Sequence, residues 1–592
     1  MKRALIGILA GLGALVAVSL LVLVVVSLIV VRQDPLPERV ILEVDLRKPL
    51  VETSPTDPLL LALEGRKTRV RDVVEGLHRA AADDRVEGLL VRGGDGVGGW
   101  AITEEVRNAV LHFRESGKPA WYHADSFGEV VPAQGAVYLA SAFERVTIHP
   151  SADVGLAPLV LEMPFLRGAL DSLGIDPRFQ ARHEYKDAVH LFTESGFTEE
   201  SREALLAVLE TLEGRLVEGL VEGRGLGAEA AREAVRGGPW SAAEGLEMGL
   251  VDELAYESGV RDALREATED AEFASLALYR DRTRGTWERG SRVALVYANG
   301  AIQRGEGGGF DPLGGGASMG GDAVARHVRE AAERPGVEAI LLRVDSPGGS
   351  WIGSDQIRHE VERAREAGIP VVVSMGNAAA SGGYVISLDA DRIVAQPTTL
   401  TGSIGVAGGK LVVRDFMARW GIDWDQVSLG EEEPGGFATT TGDFTPEEWE
   451  RFGEQMDRVY DDFVDHVARG RGMERDEAEA VSRGRVWTGA DALELGLVDR
   501  MGGFPEALEE IRELLELDVD EPLRVTVFPA EPGLLEILLS EDFRGGIRAG
   551  DGSLLEGVVR GLRVLQGLGE LGRDGMISPG AVRTAPVEVP GS

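Results

Sequence analysis

The sequence predicts an α/β protein built as two tandem copies of one unit, preceded by a single membrane-spanning helix. Three observations carry this expectation. β-rich and helical segments alternate along the chain, as they do in α/β architectures. Short segments recur at a constant spacing, first 251 and then 247 residues. An uncharged apolar run covers residues 4–31. A chain of 592 residues also exceeds one ordinary domain.

The apolar run comes first. It is longer than the ~20 residues needed to cross a bilayer core and longer than the ~7–15 of a cleaved signal peptide. A retained anchor over residues 1–36 is therefore expected. Lys2 and Arg3 precede the run, whereas Asp34 and Glu38 soon follow it. The positive-inside rule then leaves the N-terminus in the cytoplasm and the body outside.

After the anchor, Arg39–Val44 and Arg292–Tyr297 read as opening strands, each followed by a helix and another apolar run. Val86-Glu87-Gly88-Leu89-Leu90 recurs as Val337-Glu338-Ala339-Ile340-Leu341, and Gly117-Lys118-Pro119 as Gly368-Ile369-Pro370. From Ala133 the spacing is 247. Pro150 falls on Pro397, Gly174-Ile175-Asp176 on Gly421-Ile422-Asp423, Trp240 on Trp487, and Gly249-Leu250-Val251-Asp252 on Gly496-Leu497-Val498-Asp499. The expected organisation is a first repeat over 37–265, a polar linker over 266–290, a second repeat over 291–528 and an extension over 529–592. Leu554–Leu571 in that extension has a helical apolar rhythm, and the Pro/Gly-rich end reads as disordered.

Composition narrows the chemistry. Ninety-nine acidic against 61 basic residues give a net charge of -38, a field that repels nucleic acid. With no cysteine, disulfides, thiolate nucleophiles and cysteine–zinc sites are excluded. The nine histidines form no H-E-x-x-H pattern. His190, His359 and His466 read as ordinary surface or core residues.

The two copies differ at a few positions. Ser381 sits among small residues after the strand Val371-Val372-Val373, where a strand-to-helix turn can expose its oxygen beside backbone N–H groups. The first copy has Gln134 there. Lys186 stands where the second copy has Glu433, so one copy keeps a serine and the other a lysine. A lysine serves as base when burial lowers its pKa, and serine–lysine pairs are a variant of triad logic. Ser403, opposite Leu156, offers a hydroxyl to orient the amine. Val344-Asp345-Ser346-Pro347-Gly348-Gly349-Ser350 follows a strand, and its paired glycines allow N–H groups to face an oxyanion. Each has an ordinary alternative: a packing serine, a solvated lysine, a loop serine, a Pro-Gly turn. The Gly-rich tract 305–321 lacks a phosphate-loop ending and reads as a flexible loop.

The motifs Asp345-Ser346-Pro347-Gly348-Gly349, Ala380-Ser381-Gly382-Gly383-Tyr384 and Leu400-Thr401-Gly402-Ser403-Ile404-Gly405 resemble those of bacterial signal peptide peptidase A. Tyr185-Lys186 in the first copy is similar to its long, duplicated form. The resemblance covers residues 38–528. It implies a Clp/crotonase-like fold in each repeat and a serine endopeptidase site between them. Ser381 would be acylated, Lys186 would be the general base, and Ser403 would hydrogen-bond the lysine. Gly348 and Gly382 would supply the oxyanion N–H groups, and Gly349 and Gly383 would line the substrate. It also implies signal peptides and other accessible polypeptides as substrates, a homotetramer, the bacterial inner membrane as location, and no metal or cofactor. Relatives commonly have glycine at His183 and serine at Asp187, and a carboxylate beside the lysine would oppose its use as a base. A non-catalytic membrane scaffold of the same fold is the alternative. An acyl-CoA enzyme is disfavoured by the outward-facing body.

Overall fold

A computed structural model describes residues 35–53, 67–129, 131–283, 290–307, 318–427, 429, 436–519 and 521–529. The expected anchor, the centre of the Gly-rich tract, Glu433 and the extension with Leu554–Leu571 lie outside the described residues. Among the described residues no helix is long and apolar enough to cross a membrane.

Both repeats build a sheet around six parallel strands in the same order. The first runs Glu253–Leu254, Arg145–Ile148, Ala120–Ala124, Val86–Gly93, Val40–Asp45 and Glu272–Ser275. In the second the same path reads Arg500–Met501, Arg392–Ala395, Val371–Ala380, Val337–Ser346, Ser291–Asn299 and Leu523–Phe528. Strands such as Val371–Ala380 are covered on both faces, which is why they are near-continuous apolar runs without alternation. On one face of the second sheet Val296, Leu342, Val344 and Met375 pack with Tyr384 and Phe463. On the other, Val293, Leu295, Leu341 and Val372 meet Phe504 and Ile511 of the helix Phe504–Leu514.

The helices repeat as faithfully. Glu199–Arg224 and Pro446–Arg471 each have 26 residues. Each begins on a threonine cap, Thr198 or Thr445, and ends on a left-handed glycine, Gly225 or Gly472.

The expected linker 266–290 requires correction. Glu272–Ser275 is the edge strand of the first sheet and occupies the place that Leu523–Phe528 holds in the second. The helix Leu276–Thr283 then buries Leu276 and Tyr279 in the first core. The segment is too polar to announce this, because its strand has a neighbour on one side only.

Among the described residues, 35–52 and 68–528 form one compact unit. Within it the repeats are joined in two ways. Asp176–Ala181 of the first pairs antiparallel with Ala407–Val412 of the second. Deeper, Arg343 of the second is buried between Glu52 and Glu105 of the first, 2.7 Å from each.

Candidate active site

The strand Val371–Ala380 ends at Ser381, which turns the chain into the short helix Gly382–Val385. Ser381 adopts φ 53°, a left-handed conformation unusual for a residue with a Cβ. Of the seven described non-glycine residues with positive φ, four lie at this place: His183, Ser381, Ser403 and Arg483. Backbone strain of this kind persists where packing over-determines it, and it concentrates at functional sites.

The cross-repeat strand pair delivers the lysine. Asp176–Ala181 leads directly into the loop 182–186, so pairing with Ala407–Val412 lays that loop over the second repeat. The Tyr185 N–H donates to the Arg483 carbonyl (3.3 Å). Gly484, at φ 84°, lets the lysine backbone approach so closely that a Cβ there would lie 2.5 Å from Lys186 N. Gly405 flanks the stem, 3.2 Å from Lys186 Cδ by the same measure.

Lys186 is 5% exposed. Its Nζ lies 3.2 Å from Ser381 Oγ, 3.0 Å from Ser403 Oγ and 2.8 Å from the Ser403 carbonyl oxygen. A neutral amine has two N–H donors and one lone pair. Ser403 can accept both N–H groups, leaving the lone pair for the Ser381 hydroxyl proton. Burial lowers the lysine pKa to about 8 against a smaller opposing pull from Asp187. The Asp187 carboxyl hydrogen-bonds Ser201 and faces His190, and its own burial raises its pKa. No Lys186–Asp187 ion pair forms among the described residues. His190, whose Nδ1 is 3.3 Å from Ser201 Oγ, supports Asp187 at most. His183 adopts φ 64°, a conformation that glycine adopts freely. Its ring rests 4.4 Å from that of Tyr460, with Nε2 3.6 Å from Glu479.

The glycine turn corrects one expectation. Gly348 is buried and its N–H donates to Ser346 Oγ (3.1 Å), so it is not free to meet a substrate oxygen. Gly349 is exposed, and its N–H and that of Gly382 have no acceptor among the described residues. The two backbones adjoin: a Cβ on Gly382 would lie 3.2 Å from Gly349 N. The free donor pair is Gly349 with Gly382. Gly383 also differs from expectation. It is buried, and a Cβ there would lie 2.6 Å from the Ser346 carbonyl oxygen, so it packs the helix onto the turn and does not line a substrate surface. In the first repeat Gln134 Nε2 donates to the Ala157 carbonyl, and Leu156, opposite Ser403, is fully buried.

The description "Peptidase family S49" matches residues 112–273 and 363–518, once in each repeat. The chain belongs to this family. It is 31% identical to Protease 4 of Salmonella typhi over 81% of this chain and 76% of that one. It is 27% identical to the chloroplastic serine protease SPPA of Arabidopsis thaliana over 85% and 75%. Protease 4 of Haemophilus influenzae is 29% identical over 76% and 74%. Among solved structures, a membrane-bound stomatin-specific protease overlaps 40% of this chain and 98% of its own at 15% identity, with a TM-score of only 0.25. The S49 chain is thus a serine-type protease with two tandem family regions in a mixed α/β fold. Neither the free N–H of Gly349 nor the seating of the lysine loop on Arg483–Trp487 has a signal in the sequence.

Proposed function

We propose that this S49 protease is a membrane-anchored signal peptide peptidase of Clp/crotonase-like fold, acting through Ser381 and Lys186. The observation that carries the reading is the buried Lys186 amine 3.2 Å from Ser381 Oγ. In the proposed mechanism Ser381 Oγ attacks the scissile carbonyl while its proton passes to Lys186 Nζ, with Ser403 holding the amine in line. The N–H groups of Gly349 and Gly382 take the developing oxyanion. The lysine ammonium then protonates the leaving amine, and a water, activated by the neutral lysine, hydrolyses the acyl ester. Ser381→Ala is expected to abolish covalent labelling by a serine-directed acylating probe. Lys186→Ala is expected to lower peptidase activity by about 10²–10⁴-fold. Labelling that survives the first change, or activity that survives the second, sinks the dyad; a parent protein that neither hydrolyses peptide nor takes up the probe favours a binding scaffold.

The apolar run 4–31 supports anchoring with the body on the extracytoplasmic side of a bacterial inner membrane. In that position released signal peptides and other accessible polypeptides are within reach. Assembly as a homotetramer is part of the same reading. The pairing of 176–181 with 407–412 uses one strand position from each repeat, and of the positions equivalent by the 247-residue spacing, 423–427 and 160–165 form no strand pair among the described residues. Ile422, Trp424 and Val427 are exposed in and beside the first, and Val160 and Leu161 in the second. Head-to-tail contact between copies would cover both. Sedimentation of the full chain and of Trp424→Asp tests this: one unchanged monomer for both excludes it.

A further inference from the structure

We infer that Arg485 is a positioning residue, a clip from the second repeat that holds the Lys186 loop of the first over Ser381 and Ser403. The inference rests on the serine–lysine reading above. The Arg485 guanidinium lies between two rings, 5.1 Å from the Tyr185 centroid and 4.3 Å from that of Trp487. Its Nη1 is 2.6 Å from Glu203 Oε1, and Tyr185 OH donates to the other oxygen of the same carboxylate (3.1 Å). Tyr185 and Glu203 belong to the first repeat, whereas Arg485 and Trp487 belong to the second. The clip therefore closes across the junction one residue from the lysine.

The backbone of the same segment holds the other partners. The Arg485 carbonyl accepts the Ser403 N–H (2.8 Å), and the Gly484 N–H donates to Ile404 (2.8 Å). Gly402, which pairs with Val486, accepts the Ser381 N–H (2.8 Å). Residues 483–487 are thus a common spine for lysine, nucleophile and orienting serine.

The repeat supplies an independent argument. Arg236-Gly237-Gly238-Pro239-Trp240 is the counterpart of Arg483-Gly484-Arg485-Val486-Trp487. Arginine, glycine and tryptophan of the frame are kept, while glycine stands opposite Arg485. The copy that lacks the nucleophile and the orienting hydroxyl also lacks this arginine. A merely solubilising arginine has no reason to follow that pattern. Arg485 contacts neither Lys186 nor Ser381 through its side chain, so it acts through the loop.

Loosening the loop admits water to Lys186 and weakens the burial that keeps its amine neutral. The test measures pH–rate profiles of the full chain on a small ester and on a peptide, with melting temperatures alongside. Arg485→Ala is expected to move the activity midpoint to higher pH and to lower kcat by about 10–100-fold. KM for the ester stays within about twofold. Arg485→Lys and Glu203→Gln are expected to move the midpoint the same way by less, which keeps the inference testable if the alanine variant folds poorly. Arg236→Ala, in the matching segment of the first repeat and opposite Arg483, leaves the midpoint unchanged. An unshifted midpoint in Arg485→Ala or Arg485→Lys, with or without a lower melting temperature, overturns the clip alone. Full activity in Lys186→Ala overturns the clip and the dyad together.

Discussion

Lys186 shows how one residue trades stability for reactivity. In an unfolded chain its amine titrates near ~10.4, but burial in the folded protein lowers this to about 8. The unfolded state therefore binds more protons between these values, and folding gains stability as pH rises through that window. Below about pH 8 the folded protein carries a buried cation that Ser381 and Ser403 solvate only in part. Two outcomes follow from the same titration. Peptidase activity is expected to rise with pH and reach half its maximum near pH 8, because the proposed base works only when neutral. Lys186→Met is expected to raise the melting temperature at pH 7, with the gain shrinking as pH rises from 8 to 10. A variant no more stable than the parent at pH 7 would show that the amine is better solvated than its burial indicates. The structure brings Ser381, Lys186 and Ser403 together, and the sequence marks these three positions because the two copies differ there. Which glycine of the turn keeps a free N–H cannot be read the same way. Whether Gly348 or Gly349 has the free N–H depends on Ser346, whose hydroxyl captures the nearer one, and no residue spacing records that.

At the scale of elements, legibility followed how much of each element's stability is local. The helix Pro446–Arg471 has a capping box between Thr445 and Glu448, proline in its first turn and glycine after its end, so its bounds can be read from its own residues. The core strands of both sheets are long apolar runs and were equally plain. Glu272–Ser275 reads as linker in the sequence because its neighbour Val40–Asp45 defines it and its own four residues do not. Asp176–Ala181 is harder still, with the polar sequence DPRFQA and a partner strand in the other repeat. That pairing depends on a close approach. Gly409 adopts φ 156°, and a Cβ there would fall 2.2 Å from the Arg178 carbonyl oxygen. Gly409→Ala is expected to cost about 1–3 kcal/mol through strain and separation of the strands. It should also lower kcat although it touches neither Lys186 nor Ser381, since this strand aims the lysine loop. Loss of stability with an unchanged kcat would mean that the spine 483–487 alone sets the loop.

At the scale of the molecule, the described parts of the two repeats pack into one compact unit, and the groups between them are polar as well as apolar. Arg343 makes paired hydrogen bonds to Glu52 (2.7 and 3.1 Å), a further one to Glu105 (2.7 Å) and another to Ser374 (2.8 Å). Glu105 also accepts the Phe504 N–H (2.7 Å) at the start of a helix of the second repeat. Neighbouring Glu104 accepts from the hydroxyl and N–H of Thr398 (2.7 and 3.2 Å) while pairing with Arg215 of its own repeat. These groups are satisfied only when both repeats are present, so neither half retains a closed polar core without the other. Such a cluster need not add net stability over an apolar packing, but breaking it leaves buried charge. Arg343→Met is expected to lower unfolding free energy by about 3–5 kcal/mol, because two buried carboxylates lose their shared cation. Adding Glu52→Gln and Glu105→Gln removes those charges while keeping an acceptor for the Phe504 N–H, and much of the loss should return. Denaturant titration of the three-site variant against Arg343→Met decides the matter. If the single change costs less than about 1 kcal/mol, water reaches the cluster and the repeats are held together by the strand pair and apolar contacts instead. If it costs the larger amount with a single transition, both repeats unfold together, as the proposed site of one lysine and one serine on opposite sides of the junction requires.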